Sequence, residues 1–317
     1  LLALVSTPCF DPNAFNRGLT KSQWQNILKN SRNPLNNKAI SGQYAPGSTF
    51  KMVVALAALE KGIISYRSNY LCTGSLELGD SIFHCWKEHG HGKMNLTSAI
   101  AQSCDVYFYE VAKKLGIDAI SSMARRLGLG QIFDIELAGE AKGLMPTRDW
   151  KKKNKNSSWQ QGETLLAGIG QGLILATPLQ LAVMTSRIVN GGKAVSPRLT
   201  KGILLNEPDI SPSSNSKLEN FKHIGVNTKN LNLIKKSMSF VTNSPQGTAF
   251  KARIIDPKYR FGGKTGTVQV RRISAEEREL GVKKNKDLEW HERDHALFVG
   301  YAPLSNPSYA VSVVIEH

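Results

Sequence analysis

The stretch QYAPGSTFKMVVALAALEKG, residues 43–62, places a Pro-Gly turn before a long apolar run that carries one lysine early in it. We expect a buried helix from about Ser48 to Lys61, ended by Gly62, because glycine adopts the left-handed conformation that stops helices without steric cost. Lys51 follows Ser48 by one helical turn, so the two side chains share a face. A serine at a helix start is usually only a cap, but a lysine buried beside it could act as its base.

Composition indicates a globular protein with a strongly basic surface. The 317 residues are 41% hydrophobic and 21% charged, with a formal net charge of +16. A positive field suits an anionic polymer, an anionic membrane surface or nucleic acid. The basic residues are scattered except for KKKNKN at 151–156, and no helix-turn-helix, zinc-finger or RNA-recognition pattern accompanies them. We therefore expect no nucleic-acid partner.

No targeting or membrane segment is evident in the sequence. No stretch reaches the ~18–20 apolar residues of a membrane span, and the opening LLALVSTPCFDPN lacks the basic region of a signal peptide. We interpret the chain as an excised domain whose targeting segment, if any, lies upstream.

The pattern of apolar residues changes along the chain. Helical spacing dominates from about 117 to 250, and Asn95 or Thr97 is a candidate cap for an earlier helix. Short β-rich runs are expected as strands, at residues 1–10 and in FGGKTGTVQV, HALFVGYAP and SYAVSVVIE. We expect the N-terminal strand to join the C-terminal strands in one antiparallel sheet.

This organisation predicts an α+β fold, one domain over residues 1–317 with two lobes and a cleft. The sheet lobe would comprise about 1–60 and 251–317, and the helical lobe about 61–250. The charged connection at about 271–293 has no apolar period, and a loop of that length is usually functional or mobile.

Two further motifs join Ser48 and Lys51. QSCD supplies Ser103 and Asp105 at the start of a helical run, and GGKTGT supplies Lys264, Thr265, Gly266 and Thr267 on the first C-terminal strand. S-x-x-K, a second serine motif and K-T-G, in this order, form the active-site set of penicillin-binding proteins and class A β-lactamases. Each motif alone is a weak signal, whereas the three together are specific.

Physical reasons support these residue types. The Ser48 amide at a helix start and the Thr267 amide on a strand edge could form an oxyanion hole. Strand period places Thr265 and Thr267 on one face to hold a substrate carboxylate, with Lys264 pointing the other way toward Ser103. Gly266 is expected to leave room for an acyl group. Lys264 and the other motif lysine should disfavour each other's protonation.

The cysteines suggest a second site. Cys72, Cys85 and Cys104 lie near His91, and three thiols with one imidazole could form a tetrahedral zinc site. Two alternatives remain open on the sequence: two of these thiols could form a disulfide, or Cys104 could simply pack in the helix core. Cys104 lies between Ser103 and Asp105, so a metal there would support the second motif from behind.

Segments along nearly the whole chain resemble the transpeptidase domain of class B penicillin-binding proteins, of the Gram-negative cell-elongation type. They are LVSTPCFDPNAF, YAPGSTFK, HCWKEHGHG, SCDVYFYEVAKKLG, GIGQG, TPLQLA, FGGKTGT and HALFVGYAP. The resemblance implies a penicillin-binding/serine β-lactamase-like fold. It also implies the periplasmic domain of a single-pass inner-membrane protein, whose membrane helix and pedestal domain are not in this chain.

The resemblance further implies a D,D-transpeptidase that cross-links peptidoglycan stem peptides and is acylated by β-lactams. Ser48 would attack the D-Ala–D-Ala carbonyl, Lys51 would take its proton, and Ser103 with Lys264 would relay a proton to the leaving D-alanine. No cofactor would serve the chemistry, while a structural zinc is favoured by similar residues in the subgroup. A membrane glycosyltransferase and elongation-complex proteins are the expected partners.

The second motif departs from the wider superfamily, in which S-x-N is usual, although an acid is normal in the subgroup. Asp105 could accept a hydrogen bond from Lys264 or Lys51, or could only be an acid favoured at a helix start.

Other functions share these motifs. A β-lactamase or carboxypeptidase would pass the acyl group to water, but the stretches GLMPTRDWKKKN and WQQGETLLAG between the second and third motifs offer only Glu163 as the glutamate of a class A β-lactamase, an unconvincing candidate. A silent scaffold or a β-lactam sensor is the remaining alternative, and the intact Ser48–Lys51 pair argues against silence.

Overall fold

The computed structural model describes residues 1–200, 221–271, 273, 277 and 281–316. Its helices and strands alternate in blocks, with short strands between the fourth and fifth helices and three longer strands at the end. The helices are α1 (Pro12–Arg17), α2 (Lys21–Lys29), α3 (Lys38–Ser41), α4 (Lys51–Glu60), α5 (Leu96–Ala101), α6 (Asp105–Leu115), α7 (Ile117–Arg126), α8 (Arg148–Lys155), α9 (Gln161–Gly168), α10 (Pro178–Val189) and α11 (Thr228–Asn243). The strands are β1 (Asn69–Cys72), β2 (Ser75–Leu78), β3 (Ser81–His84), β4 (Gly92–Asn95), β5 (Gly262–Val268), β6 (His295–Ala302) and β7 (Tyr309–Ile315).

Helix α4 lies at the centre of the helical part. It continues a 3₁₀ turn at Gly47–Phe50, and every residue from Lys51 to Ala58 is buried. Such a helix needs neighbours on all sides, and α5, α6, α7 and α11 provide them. Gly62 takes a φ of 67° just beyond the helix, so the predicted helix and its glycine stop are confirmed.

The three C-terminal strands form one antiparallel sheet in the order β5-β6-β7. Helix α11 packs on β5, and α10 packs on β6 and β7. Val268, Leu297 and Val299 on the inner face of the sheet belong to the same continuous core as α4. The mixed α+β class and the three predicted C-terminal strands are confirmed.

The prediction of a strand at residues 1–10 that joins this sheet is wrong. The segment forms no strand, and its polar groups pair with loops: the Ser6 hydroxyl donates to the Asn36 carbonyl and accepts from the Lys38 amide. Leu4 packs on a small satellite core around Ile40. A β-rich run indicates that a segment could be extended, but pairing depends on a neighbouring strand, which the local sequence does not specify.

Residues 69–95 contain strands that the sequence analysis did not predict. β1 pairs with β4 and β2 pairs with β3, both antiparallel. The β2–β3 turn is Gly79-Asp80, with Gly79 at a φ of 56°. A two-residue Gly-Asp connection is a recognised hairpin signal, so the information was present in the sequence. Asn95 then caps α5 by accepting from the Ser98 amide, as one of the two proposed caps.

The expected long connection at 271–293 lies partly outside the described residues. Its described part includes two 3₁₀ turns, Asn285–Asp287 and Trp290–Glu292. Within the part of the chain that the structure describes, no helix is both long and apolar enough to cross a membrane.

Candidate active site

Ser48 is half-buried at the second position of the 3₁₀ turn that precedes α4. Neither the turn nor α4 has a side-chain cap, so the serine does not serve as one. Lys51 begins α4 and is fully buried. The structure therefore excludes the simple capping role and leaves a serine beside a buried amine.

The Lys51 ammonium is directed at the second motif. Its Nζ donates to the Ser103 carbonyl at 2.8 Å, to the Ser103 hydroxyl at 3.2 Å and to Asp105 Oδ1 at 2.7 Å. A lysine has three N–H donors, so these contacts use all of them. No hydrogen bond between Lys51 and Ser48 occurs in the described residues, and catalytic contacts often tighten only when a ligand is bound.

Ser103 connects the two lysines. Its hydroxyl lies 2.9 Å from Lys264 Nζ and 3.2 Å from Lys51 Nζ. The residue sits between α5 and α6 with a φ of 57°, a left-handed conformation that is unfavourable for a residue with a side chain. The unusual backbone aims the hydroxyl between the two amines, so a proton can pass from one to the other through a single oxygen.

Lys264 is the second fully buried amine, on β5. Burial, and then the positive charge of Lys51, hold the pKa of Lys264 well below its ordinary value, while Asp105 acts in the opposite direction. The predicted repulsion between the two lysines is therefore seen at Lys264. A lowered pKa raises the fraction of this amine that is unprotonated and therefore able to accept a proton.

Asp105 combines the two roles considered for it. It is the first residue of α6, where the helix dipole favours an acid, and it forms a buried ion pair with Lys51. Lys51, not Lys264, is thus its lysine partner. Its second oxygen, Oδ2, accepts from the Trp86 backbone amide at 2.9 Å.

Strand β5 alternates as predicted, with Lys264 and Gly266 buried, Thr265 half-buried and Thr267 exposed. The Thr265 hydroxyl lies 2.6 Å from the hydroxyl of Thr248. A Cβ at Gly266 would come within 3.1 Å of the Thr49 methyl group, so the glycine lets β5 pack on the 3₁₀ turn. This packing is one reason for a glycine at position 266, and the expected room for an acyl group stays a prediction.

The backbone of Thr267 faces the 3₁₀ turn that carries Ser48. A Cβ at Gly47 would lie 2.9 Å from the Thr267 carbonyl oxygen. The N–H and C=O of a strand residue point to the same edge, so the Thr267 amide also faces the turn. The two amides proposed for the oxyanion hole therefore lie on facing elements.

The predicted metal-binding residues form one cluster. The ligand atoms of Cys72, Cys85, His91 and Cys104 all lie within 4.8 Å of one another, and all three cysteines are free thiols. His91 Nδ1 lies 3.6 Å from the Cys72 sulfur and 3.5 Å from the Cys85 sulfur. Tetrahedral zinc with ordinary bond lengths would separate sulfur and nitrogen ligands by about 3.6 Å. The donor set and its spacing fit zinc. The alternative of a disulfide is not what the structure has, because none of the three cysteines is bonded to another.

The cluster shows one further feature of a metal site. A hydrogen bond with the Cys104 thiol lowers the pKa of Cys85, which favours a thiolate at the centre. His91 Nδ1 is the ring nitrogen that faces the sulfurs and would be the ligand atom, whereas its Nε2 is buried without a hydrogen-bond partner among the described residues. Cys85 also accepts from the Asp105 amide at 3.4 Å, so this cluster directly contacts the second motif.

Sequence reasoning missed the contacts that Trp86 and Thr248 make with the motif residues. Trp86 directly follows Cys85, but no spacing rule connects it to Ser103 or Asp105. Glu163 lies elsewhere: it pairs with Lys151 at 2.6 Å and accepts from the Gln160 amide at the start of α9. This position agrees with the expectation that Glu163 does not serve as the glutamate of a class A β-lactamase.

The site has a serine one turn before a buried amine, and this amine shares a hydroxyl with a second buried amine. Such an arrangement is expected of an enzyme whose own serine becomes acylated during the reaction. The chain belongs to the penicillin-binding protein transpeptidase domain family, which it matches over residues 1–317.

Several of the proteins to which the chain is similar are MrdA or PBP2 proteins. The chain is 37% identical over 327 residues to the peptidoglycan D,D-transpeptidase MrdA of Acinetobacter baumannii, covering 100% of this chain and 46% of that protein. The structure of Pseudomonas aeruginosa PBP2 in complex with WCK 5153 is similar at a TM-score of 0.82 and 38% identity, over 98% of this chain and 63% of that one. The complex of PBP2 and MreC from Helicobacter pylori is similar at a TM-score of 0.84 and 32% identity, over 99% and 53%. The chain spans about half the length of the curated relatives it matches.

Proposed function

We propose that this chain is the catalytic domain of a peptidoglycan D,D-transpeptidase of cell elongation. It would cross-link stem peptides through an acyl-enzyme on Ser48 and would be inhibited covalently by β-lactams. The observation that carries the proposal is the continuous hydrogen-bonded chain Lys51–Ser103–Lys264, which begins one turn after Ser48 in the chain. Membership of the transpeptidase family and the similarity to MrdA support it.

The relay explains how Ser48 could become a nucleophile. Lys51 passes a proton to the Ser103 oxygen while the Ser103 hydroxyl proton moves to Lys264, whose lowered pKa prepares it to accept. Neutral Lys51 then takes the Ser48 proton as the serine oxygen attacks the carbonyl of the penultimate D-alanine. Asp105 stabilises the lysine charge that returns.

The reverse path would release the leaving group. Lys264 returns its proton through Ser103, and the nitrogen of the departing D-alanine takes up a proton as the C–N bond breaks. The amides of Ser48 and Thr267 would stabilise the oxyanion, and the hydroxyls of Thr265 and Thr267 would hold the substrate carboxylate. An amine from a neighbouring stem peptide then attacks the ester carbonyl. The new amide bond forms as the ester C–O bond breaks, and the proton that the amine loses goes to the Ser48 oxygen.

The test is to mix the protein with excess penicillin and follow its intact mass from seconds to hours, with Ser48→Ala as control. We expect one adduct that forms quickly, lasts for hours and is absent from the control. An adduct that disappears while penicillin is consumed over many turnovers would identify a β-lactamase. The absence of an adduct on folded protein would contradict the proposal and favour a silent scaffold.

A second assay separates transpeptidation from carboxypeptidation. A stem peptide that ends in D-Ala–D-Ala is supplied with and without an amine acceptor. We expect the cross-linked product to dominate with the acceptor present. Release of D-alanine at the same rate, with no cross-linked product, would identify a D,D-carboxypeptidase.

We further infer that a structural zinc is held by Cys72, Cys85, His91 and Cys104. The metal would take no part in acyl transfer; bound there, it would fix Cys85 and Cys104 beside Ser103 and Asp105. Metal analysis of the purified protein should find one zinc per chain. A fully reduced, folded protein that takes up no zinc would contradict the assignment.

The place of action is also a proposal. We infer that the chain works in the periplasm as one catalytic domain of a protein anchored in the inner membrane, with a membrane glycosyltransferase and other elongation proteins as partners. The Helicobacter pylori PBP2 with which it shares its fold forms a complex with MreC. Co-purification of the full-length protein from membranes tests this, and recovery of the glycosyltransferase is expected.

A further inference from the structure

We propose that Trp86 is a positioning residue that holds both polar residues of the second motif in their working geometry. The inference rests on the proposed acyl-transfer function, because it concerns the same site. Trp86 would touch neither substrate nor the reacting atoms. It acts through Ser103 and Asp105.

The indole of Trp86 fixes the backbone that precedes and includes Ser103. Its Nε1 lies 3.1 Å from the carbonyl oxygen of Gln102 and 3.1 Å from that of Ser103. The Ser103 carbonyl also accepts from Lys51 at 2.8 Å. A carbonyl oxygen has two lone pairs, so the indole and the ammonium together saturate it.

The backbone of Trp86 fixes Asp105. The Trp86 amide donates to Asp105 Oδ2, while Lys51 takes Oδ1. Helix α6 has no side-chain cap at Cys104. Instead, the sulfur of Cys85, the residue before Trp86, accepts a hydrogen bond from the Asp105 amide. The pair Cys85-Trp86 thus replaces the missing cap and keeps the carboxylate turned toward Lys51.

Ser103 needs such support because its backbone is strained. Its φ of 57° is left-handed, a conformation that is unfavourable for a residue with a side chain. Without the indole contact, the peptide between Ser103 and Cys104 loses one of the donors that oppose its rotation. A rotation of this peptide would move the Ser103 hydroxyl away from Lys51 and Lys264.

Burial does not explain the tryptophan. Trp86 is 62% exposed, and its ring meets His91 edge-on at a centroid distance of 5.3 Å. A mostly exposed indole contributes little to the core, so its removal should leave the fold intact. What distinguishes the side chain is its N–H, directed at two carbonyls of the motif.

The experiment compares Trp86→Phe with Trp159→Phe. Both changes keep an aromatic ring and remove one indole N–H, and the Trp159 N–H donates to the Thr164 hydroxyl away from the motif residues. For each protein we would measure the limiting rate of acylation by penicillin and the concentration that gives half of it. Zinc content and melting temperature would be recorded alongside.

For Trp86→Phe we expect the limiting rate to fall about 5- to 10-fold, the loss expected for one or two hydrogen bonds that hold a reacting group. The half-saturating concentration and the zinc content should stay as in wild type, and Trp159→Phe should acylate normally. A limiting rate within twofold of wild type would overturn the inference. So would a change confined to the half-saturating concentration, since that would make Trp86 a ligand contact.

A second measurement separates this inference from the proposed function. Amide hydrogen exchange over residues 102–106 should be faster in Trp86→Phe and unchanged in Trp159→Phe. If wild-type protein forms no adduct, the proposed function fails, and exchange still decides whether Trp86 holds the motif. Equal exchange in all three proteins would refute the positioning role.

Discussion

Two buried polar clusters lie side by side in this protein, and Cys104 between Ser103 and Asp105 joins them. In the catalytic cluster, Lys51 has three acceptors and Asp105 has a donor on each oxygen. In the cysteine cluster, thiols face thiols, and His91 Nε2 has no partner among the described residues. The first cluster is complete with protein groups alone, whereas the second has the ligands of a cation.

The difference shows how buried polar groups are stabilised in two ways. Charges of opposite sign can compensate each other when every donor and acceptor is used. Thiols and an imidazole that lie together can instead be stabilised by a bound metal ion, and metal binding then adds directly to the stability of the fold. The two kinds of cluster should therefore respond differently to mutation.

Lys51→Met should have the largest effect on stability. It removes the base and leaves Asp105 as an unpaired buried charge, so we expect acylation to fall at least ~1000-fold and the free energy of unfolding to fall by about 3 kcal/mol. Urea unfolding and intact-mass kinetics measure the two. Adding Asp105→Asn should recover most of the stability and none of the acylation; a double variant as unstable as the single one would show that the ion pair is not the cause.

Cys104→Ala should have a smaller effect on both properties. Loss of a ligand should lower the melting temperature by about 6 °C, since a few kcal/mol correspond to that shift in a domain of this size, and should slow acylation by loosening Ser103. Calorimetry and adduct kinetics provide the measurements. Cys9→Ala changes an exposed cysteine outside the cluster and should be neutral. Unchanged melting and acylation after complete zinc removal would contradict a supporting role of the metal.

Lys264→Met tests how much the buried amine lowers the free energy of unfolding. Replacing it should abolish acylation yet raise stability at pH 7 by about 1 kcal/mol, as replacing buried charged groups often does. Folded Lys264 binds fewer protons than unfolded Lys264 at any pH between its lowered pKa and the ordinary 10.5, so wild-type stability rises with pH across that window. The advantage of the variant should therefore shrink as the pH approaches 10.5.

Urea unfolding at several pH values measures this difference. Lys193→Met changes an exposed lysine and should show no such pH trend relative to wild type. A constant difference between Lys264→Met and wild type at every pH would mean that Lys264 does not change its proton binding on folding.

Glu163→Gln should have the smallest effect on the chemistry. Glu163 forms an ion pair with Lys151 outside both clusters, and glutamine can keep the hydrogen bond at the start of α9. We expect the rate of adduct formation and the adduct lifetime to stay within about twofold of wild type, by the same mass measurement. A much longer adduct lifetime would reveal Glu163 as a base for hydrolysis.

Local sequence patterns predicted several of the main helices and strands of the fold. The buried helix α4, its glycine stop and the strands β5 to β7 followed from apolar period and punctuation, which act over a few residues. The strand expected at residues 1–10 failed because strand pairing requires a partner. The β2–β3 hairpin was not predicted although the sequence contains its Gly-Asp turn. The turn lies in a stretch rich in cysteine and histidine, which by itself indicates metal binding and not strands.

By itself, the sequence determined which residues were candidates for chemistry: three motifs with fixed spacing and four candidate metal ligands. The tertiary structure alone decided how they connect. In the folded protein, Lys51 donates hydrogen bonds to Ser103 and Asp105, and Trp86 donates hydrogen bonds to the same two residues. Spacing along a helix or strand fixes which side chains share a face, but a contact between residues far apart in the chain depends on how whole elements pack.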